Sequence, residues 1–219
     1  MSIFSLKIIA CVTMVLDHIK YAIPETTCFA TQYLGRIAFP LFAFLVGEGY
    51  CHTSNLKKYS KRLILFALIS QIPFMLFRTL VGEWRMLNIL FTLLLGLGSI
   101  AVWDKFGKKS IPIIALLVFL GKILRVDYGW YGVLSVFVLY LFRQRKIGRE
   151  IAFLVLNTIY YYPRLSSNMS LSLVISYSCT TIPVIFLLFY NGKLGRKTKY
   201  LYYLFYPIHM IILYGLSFL

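Results

Sequence analysis

Leu87-Asn88-Ile89-Leu90-Phe91-Thr92-Leu93-Leu94-Leu95-Gly96-Leu97-Gly98-Ser99-Ile100-Ala101-Val102-Trp103 contains no charged side chain. As a helix rising 1.5 Å per residue it reaches about 25 Å, close to the ~30 Å hydrocarbon thickness of a bilayer. Similar apolar segments precede it at about 5–23, 33–50 and 60–79. Others follow at about 110–124, 129–142, 150–163, 171–190 and 200–218. Across all 219 residues, 60% are apolar or aromatic and only 14% charged, against roughly 25% charged in an average globular chain. A soluble domain of this size could not hide so much apolar surface. The sequence therefore predicts an all-α, polytopic membrane bundle of about nine transmembrane helices (eight to ten), one domain over 1–219 with no soluble domain. The segments at 110–124 and 129–142 are the weakest, which suits a tilted helix or a re-entrant one.

The chain carries 23 Lys+Arg against 7 Asp+Glu, a formal charge of +16. In a soluble protein that excess would suggest nucleic acid, but no basic and aromatic binding module stands out. The charge instead sorts by loop. Lys57, Lys58, Lys61 and Arg62 share one connection. Lys105, Lys108 and Lys109 lie two connections on, then Arg143, Arg145, Lys146 and Arg149, then Lys193, Arg196, Lys197 and Lys199. The loops between them hold only Arg78 and Arg85, Lys122 and Arg125, and Arg164. Such alternation is the positive-inside pattern, and it predicts a cytoplasmic N-terminus. The first segment has one early basic residue, Lys7, and no small-residue cleavage site, so it reads as a retained helix. Cys11, Cys28, Cys51 and Cys179 are scattered, which predicts neither a disulfide framework nor a metal site.

Ionisable side chains within apolar helices are costly and mark function by default. Asp17 and His18 sit late in the first segment, Arg36 opens the second, and Glu48 closes it just before His52. Asp127 precedes the sixth, and His209 lies within the ninth, after Tyr206 and Pro207. His18 is eleven residues beyond Lys7, roughly 17 Å deeper along a helix. A neutral imidazole there suits a general base, and a structural hydrogen-bonded pair explains it equally well. Arg36 pairs with Asp17 or snorkels to headgroups. Glu48 and His52 group with Lys57, Lys58, Lys61 and Arg62, either as an ordinary charged interface or as a mouth for a phosphate-bearing donor. Asp127 reads as the N-cap of the following helix, beside the interfacial aromatic Tyr128. The carbonyl freed by Pro207 invites His209 or a tyrosine as its donor. With no soluble-enzyme motif present, transporter, channel and intramembrane transferase stay open.

Met14-Val15-Leu16-Asp17-His18-Ile19 followed by Gly35-Arg36-Ile37-Ala38-Phe39-Pro40-Leu41-Phe42-Ala43-Phe44 resembles the TraX family, named for F-pilin acetylation in conjugation. Glu48-Gly49-Tyr50, His52-Thr53, Ser70-Gln71-Ile72-Pro73-Phe74, Asn88-Ile89-Leu90-Phe91-Thr92 and Asp127-Tyr128-Gly129-Trp130-Tyr131-Gly132 continue the likeness. Tyr203-Leu204-Phe205-Tyr206-Pro207-Ile208-His209 closes it. The chain is also similar, more distantly, to the acyltransferase 3 group, which pairs a first-span His with an Arg and ends in a Tyr-x-x-His helix. The resemblance implies a bacterial inner-membrane acyltransferase, acetyl transfer first. It would move an acyl group from cytosolic acetyl-CoA (acyl-CoA) to an amine, such as a pilin N-terminus, or to a hydroxyl. It implies catalytic roles for His18, Asp17, Arg36 and His209, and donor binding by Lys57, Lys58, Lys61, Arg62, His52 and Glu48. Asn88, Asp127, Tyr128, Tyr206 and Gln71 become substrate or structural candidates, with Asn88 a candidate oxyanion donor. The competing readings are a small-molecule or precursor transporter and a non-catalytic pilus or secretion assembly factor.

Overall fold

The computed structural model describes residues 1–196 and 199–219; Lys197, counted above, lies outside them, as does the side chain of Lys199. Eleven α-helices follow in order: α1 Ile3–Ala22, α2 Phe29–Tyr33, α3 Ala38–Cys51, α4 Leu56–Thr79, α5 Ile89–Phe106 and α6 Ile111–Ile123. Then come α7 Gly129–Leu141, α8 Lys146–Ser167, α9 Leu171–Thr181, α10 Pro183–Leu188 and α11 Lys199–Leu216. Among the described residues the only β pairing is an isolated bridge, Leu87 with Val126. Every apolar segment read from the sequence falls on a helix or a broken helix. The segment beginning at 33 is broken into α2, a 3-10 turn at Leu34–Ile37, and α3. The segment beginning at 171 is broken where Pro183 starts α10.

Local chemistry sets these limits. Ser2, Asn55, Asn88 and Ser170 cap α1, α4, α5 and α9, each accepting a backbone N–H of the first turn on its side-chain oxygen. Gly107, at φ +54, ends α5 so that α6 can fold back against it. Four stretches are long and apolar enough to cross a membrane: Phe29–Cys51, Leu56–Thr79, Leu171–Leu188, and the 35-residue stretch Ile89–Ile123, which contains this fold-back. The helices α6 and α7, thirteen residues each, extend only about 20 Å.

The core lies where α1, α3, α5 and α7 meet. Leu6, Ala10, Leu41, Ala43, Ile100, Val133 and Val136 are fully buried there. Helices α5 and α7 approach closely through one glycine from each: a Cβ on Gly96 would lie 2.5 Å from the Val136 Cβ, and one on Gly132 would strike Thr92. Outward, Leu68, Ile72, Phe119, Ile151 and Ile159 expose apolar side chains, as lipid-facing residues do. Helix α11 packs against both α1 and α4.

The bundle has two chemically distinct ends. At one, the start of α1 meets the 189–194 loop, with Ile3 N–H donating to Lys193 O at 2.9 Å, and Tyr190 reaches Glu48. Tyr140 at the end of α7 donates to Asp104 at the end of α5 there, at 2.6 Å. At the other end the close of α1 meets the Leu34–Ile37 turn, and the 85–88 and 125–127 loops pair through Asp127 N–H and Leu87 O at 2.9 Å.

One expectation about charge changes here. Arg149 is not a headgroup-facing loop cation. It is 2% exposed on α8, ion-paired with Glu150, donates to Leu187 O at 3.1 Å, and lies over the Phe44 ring at 4.9 Å. A buried guanidinium needs such partners, because an unpaired one would be strongly destabilising.

Candidate functional site

Helix α1 supplies two polar faces from adjacent positions, about 100° apart around the helix. Asp17 turns toward the Leu34–Ile37 turn. Its Oδ1 lies 3.2 Å from Lys20 Nζ and 4.0 Å from Arg36 Nε. Lys20 also donates to Gln32 O at 3.4 Å. Gly35 makes this closeness possible: a Cβ there would lie 2.6 Å from the Asp17 Cα. Lys20 went unnoticed in the sequence, although its i, i+3 spacing from Asp17 was the available signal.

His18 turns the other way, toward α11 and α4. Its Nδ1 lies 3.1 Å from Nε2 of His209, and the two rings stack at 5.3 Å between centroids. Phe77 closes over His18 edge-on, also at 5.3 Å. His209 Nδ1 lies 2.9 Å from Phe205 O, one turn back on α11, and the Phe205 ring stacks on its imidazole. Pro207 has no N–H to give the carbonyl four residues back, but His209 bonds Phe205 O and not that carbonyl.

The hydrogen-bond pattern sets the protons. A carbonyl only accepts, so His209 Nδ1 carries the hydrogen donated to Phe205. In a neutral imidazole the other nitrogen is then an acceptor. His209 Nε2 therefore accepts from His18 Nδ1–H, which leaves the His18 Nε2 lone pair as the unprotonated end of the chain. This arrangement can take a proton from a bound hydroxyl or amine.

Asn88 and Gln71 form a self-satisfied knot. Asn88 Nδ2 donates to Ala67 O at 2.7 Å and to Gln71 Oε1 at 2.9 Å, its Oδ1 caps Leu90 N–H, and Gln71 Nε2 donates to Met86 O. Both amide hydrogens of Asn88 are committed, so it has none for an oxyanion. Asp127 does not cap α7. That helix starts at Gly129 from a left-handed Tyr128 (φ +62), and Asp127 Oδ1 accepts only the Tyr128 N–H, at 3.1 Å. Burial raises the Asp127 carboxyl to about 6, with Arg78 pulling the other way. The Tyr128 ring stacks on Phe39 at 4.0 Å. Tyr206 tilts against His209 at 5.6 Å, and its hydroxyl meets the free N–H of Ile89.

At the other end of the bundle lies a cavity of about 410 Å³. Its lining combines polar side chains, Glu48, His52, Arg62, Lys7 and Tyr59, with the apolar Phe42, Leu45, Leu90 and Leu93. The Glu48 carboxylate accepts the Tyr190 hydroxyl at 2.5 Å, and His52 Nδ1 bonds Glu48 O at 2.8 Å. His52 is thus at the opposite end from His18. The basic cluster divides: Arg62 lines the cavity, whereas Lys57, Lys58 and Lys61 are exposed and do not. The period of α4 is the reason, since it turns Tyr59, Arg62, Leu63 and Phe66 to one face and those lysines away. Among the described residues no group of His, Cys, Asp and Glu is placed to hold a metal ion.

The chain is 30% identical over 232 residues to the probable fimbrial assembly protein FimC, serogroup H1, of Dichelobacter nodosus, covering 97% of this chain and 94% of that relative. No solved structure matches it significantly. The family model described as TraX protein matches residues 2–217, almost end to end, with Asp17, His18, Arg36 and His209 inside the matched region. The chain belongs to the TraX family.

Proposed function

We propose that this protein is an acyl-CoA-dependent acyltransferase of the bacterial cytoplasmic membrane, acetyl transfer first. Its acceptor is an amine, such as the N-terminus of a pilin or fimbrial subunit, or a hydroxyl, at the Asp17 end. The chain crosses nine times with its N-terminus cytoplasmic, so donor enters at the Glu48 end and acceptor from outside. The observation that carries the reading is the Phe205–His209–His18 hydrogen-bond chain, which ends in the His18 Nε2 lone pair, with Phe77 edge-on to the ring.

In this reading His18 Nε2 takes the proton of the attacking amine or hydroxyl as the new bond to the thioester carbon forms. The carbon–sulfur bond then breaks, and the proton passes to the leaving thiolate. Arg36, held beside Asp17, or Lys20 faces the developing oxyanion. His209 keeps the His18 ring in the tautomer with Nε2 unprotonated.

The test is thiol release from acetyl-CoA by the purified protein with a panel of amine and hydroxyl acceptors. His18→Ala should lose at least about a hundredfold, the usual scale of a lost general base. Absence of turnover by the wild type with every acceptor overturns the enzyme reading. The name of the Dichelobacter relative favours a second reading, a non-catalytic factor for fimbrial assembly. Cells carrying His18→Ala separate the two, since a non-catalytic factor would still support assembly.

A further inference from the structure

Three cations gather at the Asp17 end, and they divide between the two polar faces of α1. Lys20 and Arg36 share the Asp17 carboxylate, on the face turned toward the Leu34–Ile37 turn. Arg78 belongs to the His18 face. It is the penultimate residue of α4 and directly follows Phe77, whose ring stands edge-on to His18 at 5.3 Å. Its charge acts on His18, Asp127 and Tyr206, which come from three other segments. In the sequence it counts only among the sparse cations of one connection.

The Arg78 guanidinium is incompletely used. Nη2 donates to Glu83 at 2.5 Å and lies 3.3 Å from Met86 Sδ. The Glu83 side chain is 61% exposed against 22% for Arg78, so this ion pair sits at the rim and contributes little. Nε is buried and has no hydrogen-bond partner. A charged donor buried without an acceptor is destabilising, and an oxygen brought by a ligand would satisfy it. Asp127 does not fill that place, since its Oδ1 accepts the Tyr128 N–H. The surroundings are fixed from several sides. Gln71 holds Met86 O, Leu87 O holds the Asp127 N–H, and Thr92 donates to Asp127 O. A donor that stabilises developing charge must be held in place in this way before the reaction begins.

We propose that Arg78 is a further catalytic residue, its Nε–H donating to the carbonyl oxygen of the acyl group presented to His18. That oxygen gains an electron pair as the acceptor adds to the carbonyl carbon. It returns the pair when the carbon–sulfur bond breaks, and the proton travels through His18 to the leaving sulfur. Lys20 and Arg36, tied to Asp17, add positive potential from the neighbouring face. The assignment rests on the acyltransfer reading and deepens it.

The experiment is steady-state thiol release from acetyl-CoA by the full-length protein in detergent, with an acceptor the wild type uses and with kcat and KM separated. Arg78→Gln should lower kcat about a hundredfold to a thousandfold, the scale of a lost oxyanion donor, and leave the acceptor KM nearly unchanged. Arg78→Lys keeps the charge without the guanidinium fork. It should fold even if Arg78→Gln does not, and should still lose at least about tenfold in kcat. Glu83→Gln breaks the ion pair with the 80–87 loop and should keep kcat within about threefold of wild type. An equal loss in Glu83→Gln would make Arg78 a tether for that loop and overturn the proposal. So would a wild-type kcat in folded Arg78→Gln or Arg78→Lys, or a rise in acceptor KM alone. Each of these outcomes leaves the His18 chemistry standing. A wild type that releases no thiol with any acceptor instead removes the acyltransfer reading, and the role of Arg78 with it.

Discussion

Single residues decide how the polar end of α1 is held. Asp17 is clamped because Gly35 brings the Leu34–Ile37 turn against its backbone. Gly35→Ala must push that turn away, since a Cβ would overlap the Asp17 main chain. Overpacking of this kind costs about 1–3 kcal/mol, so the variant should melt several degrees lower. Because the turn carries Arg36, thiol release should fall further than the melting shift explains. An unchanged melting temperature and rate would show that the turn is not tightly seated. Asp17, His18 and Arg36 were legible in the sequence because an ionisable group in an apolar helix is conspicuous. The bond between His18 and His209 was not, because 191 residues separate them and no local spacing encodes which helices become neighbours. Lys7 was read only as the basic start of α1, because its place in a cavity depends on α4 and α11.

At the scale of elements, the apolar runs predicted helices and the helices are there. The breaks within them were harder to place, although each carries a helix-breaking residue, Gly35 in the 3-10 turn before α3 and Pro183 at the start of α10. The α5–α7 contact offers a test of close packing. Gly96→Ala places a methyl against Val136 and should destabilise the protein by about 1–3 kcal/mol. Val136→Gly removes the obstructing Cβ and both methyls, so the double variant should lose less than the sum of the two single variants in thermal melts, a coupling that a double-mutant cycle resolves. Simple additivity would mean that the two helices separate freely. The close approach at Gly96 was not visible in the sequence, because the need for a missing Cβ shows only once the partner helix is known.

For the whole molecule, the +16 charge was most informative once divided among loops. The four basic groups begin at or beside connections of the same bundle end, the end that holds Glu48 and the cavity. The proposed nine crossings from a cytoplasmic N-terminus would put the C-terminus outside, so a reporter fused after Leu219 should signal the external compartment. A cytoplasmic signal would change the count by one. Arg149 is the exception that charge counting could not detect, a cation used inside the bundle to hold α8 against α10.

The pairing of His18 with His209 also sets the order of biosynthesis. The imidazole of α1 leaves the ribosome well before that of α11. Until α11 inserts, the His18 ring has no partner to fix its tautomer, and the wall that Tyr202 and Tyr203 give the cavity is missing. A nascent chain halted before Lys199 would therefore occupy the membrane with every earlier helix in place and still lack a finished proton acceptor. Insertion of α11 is therefore the step that completes the proposed proton acceptor.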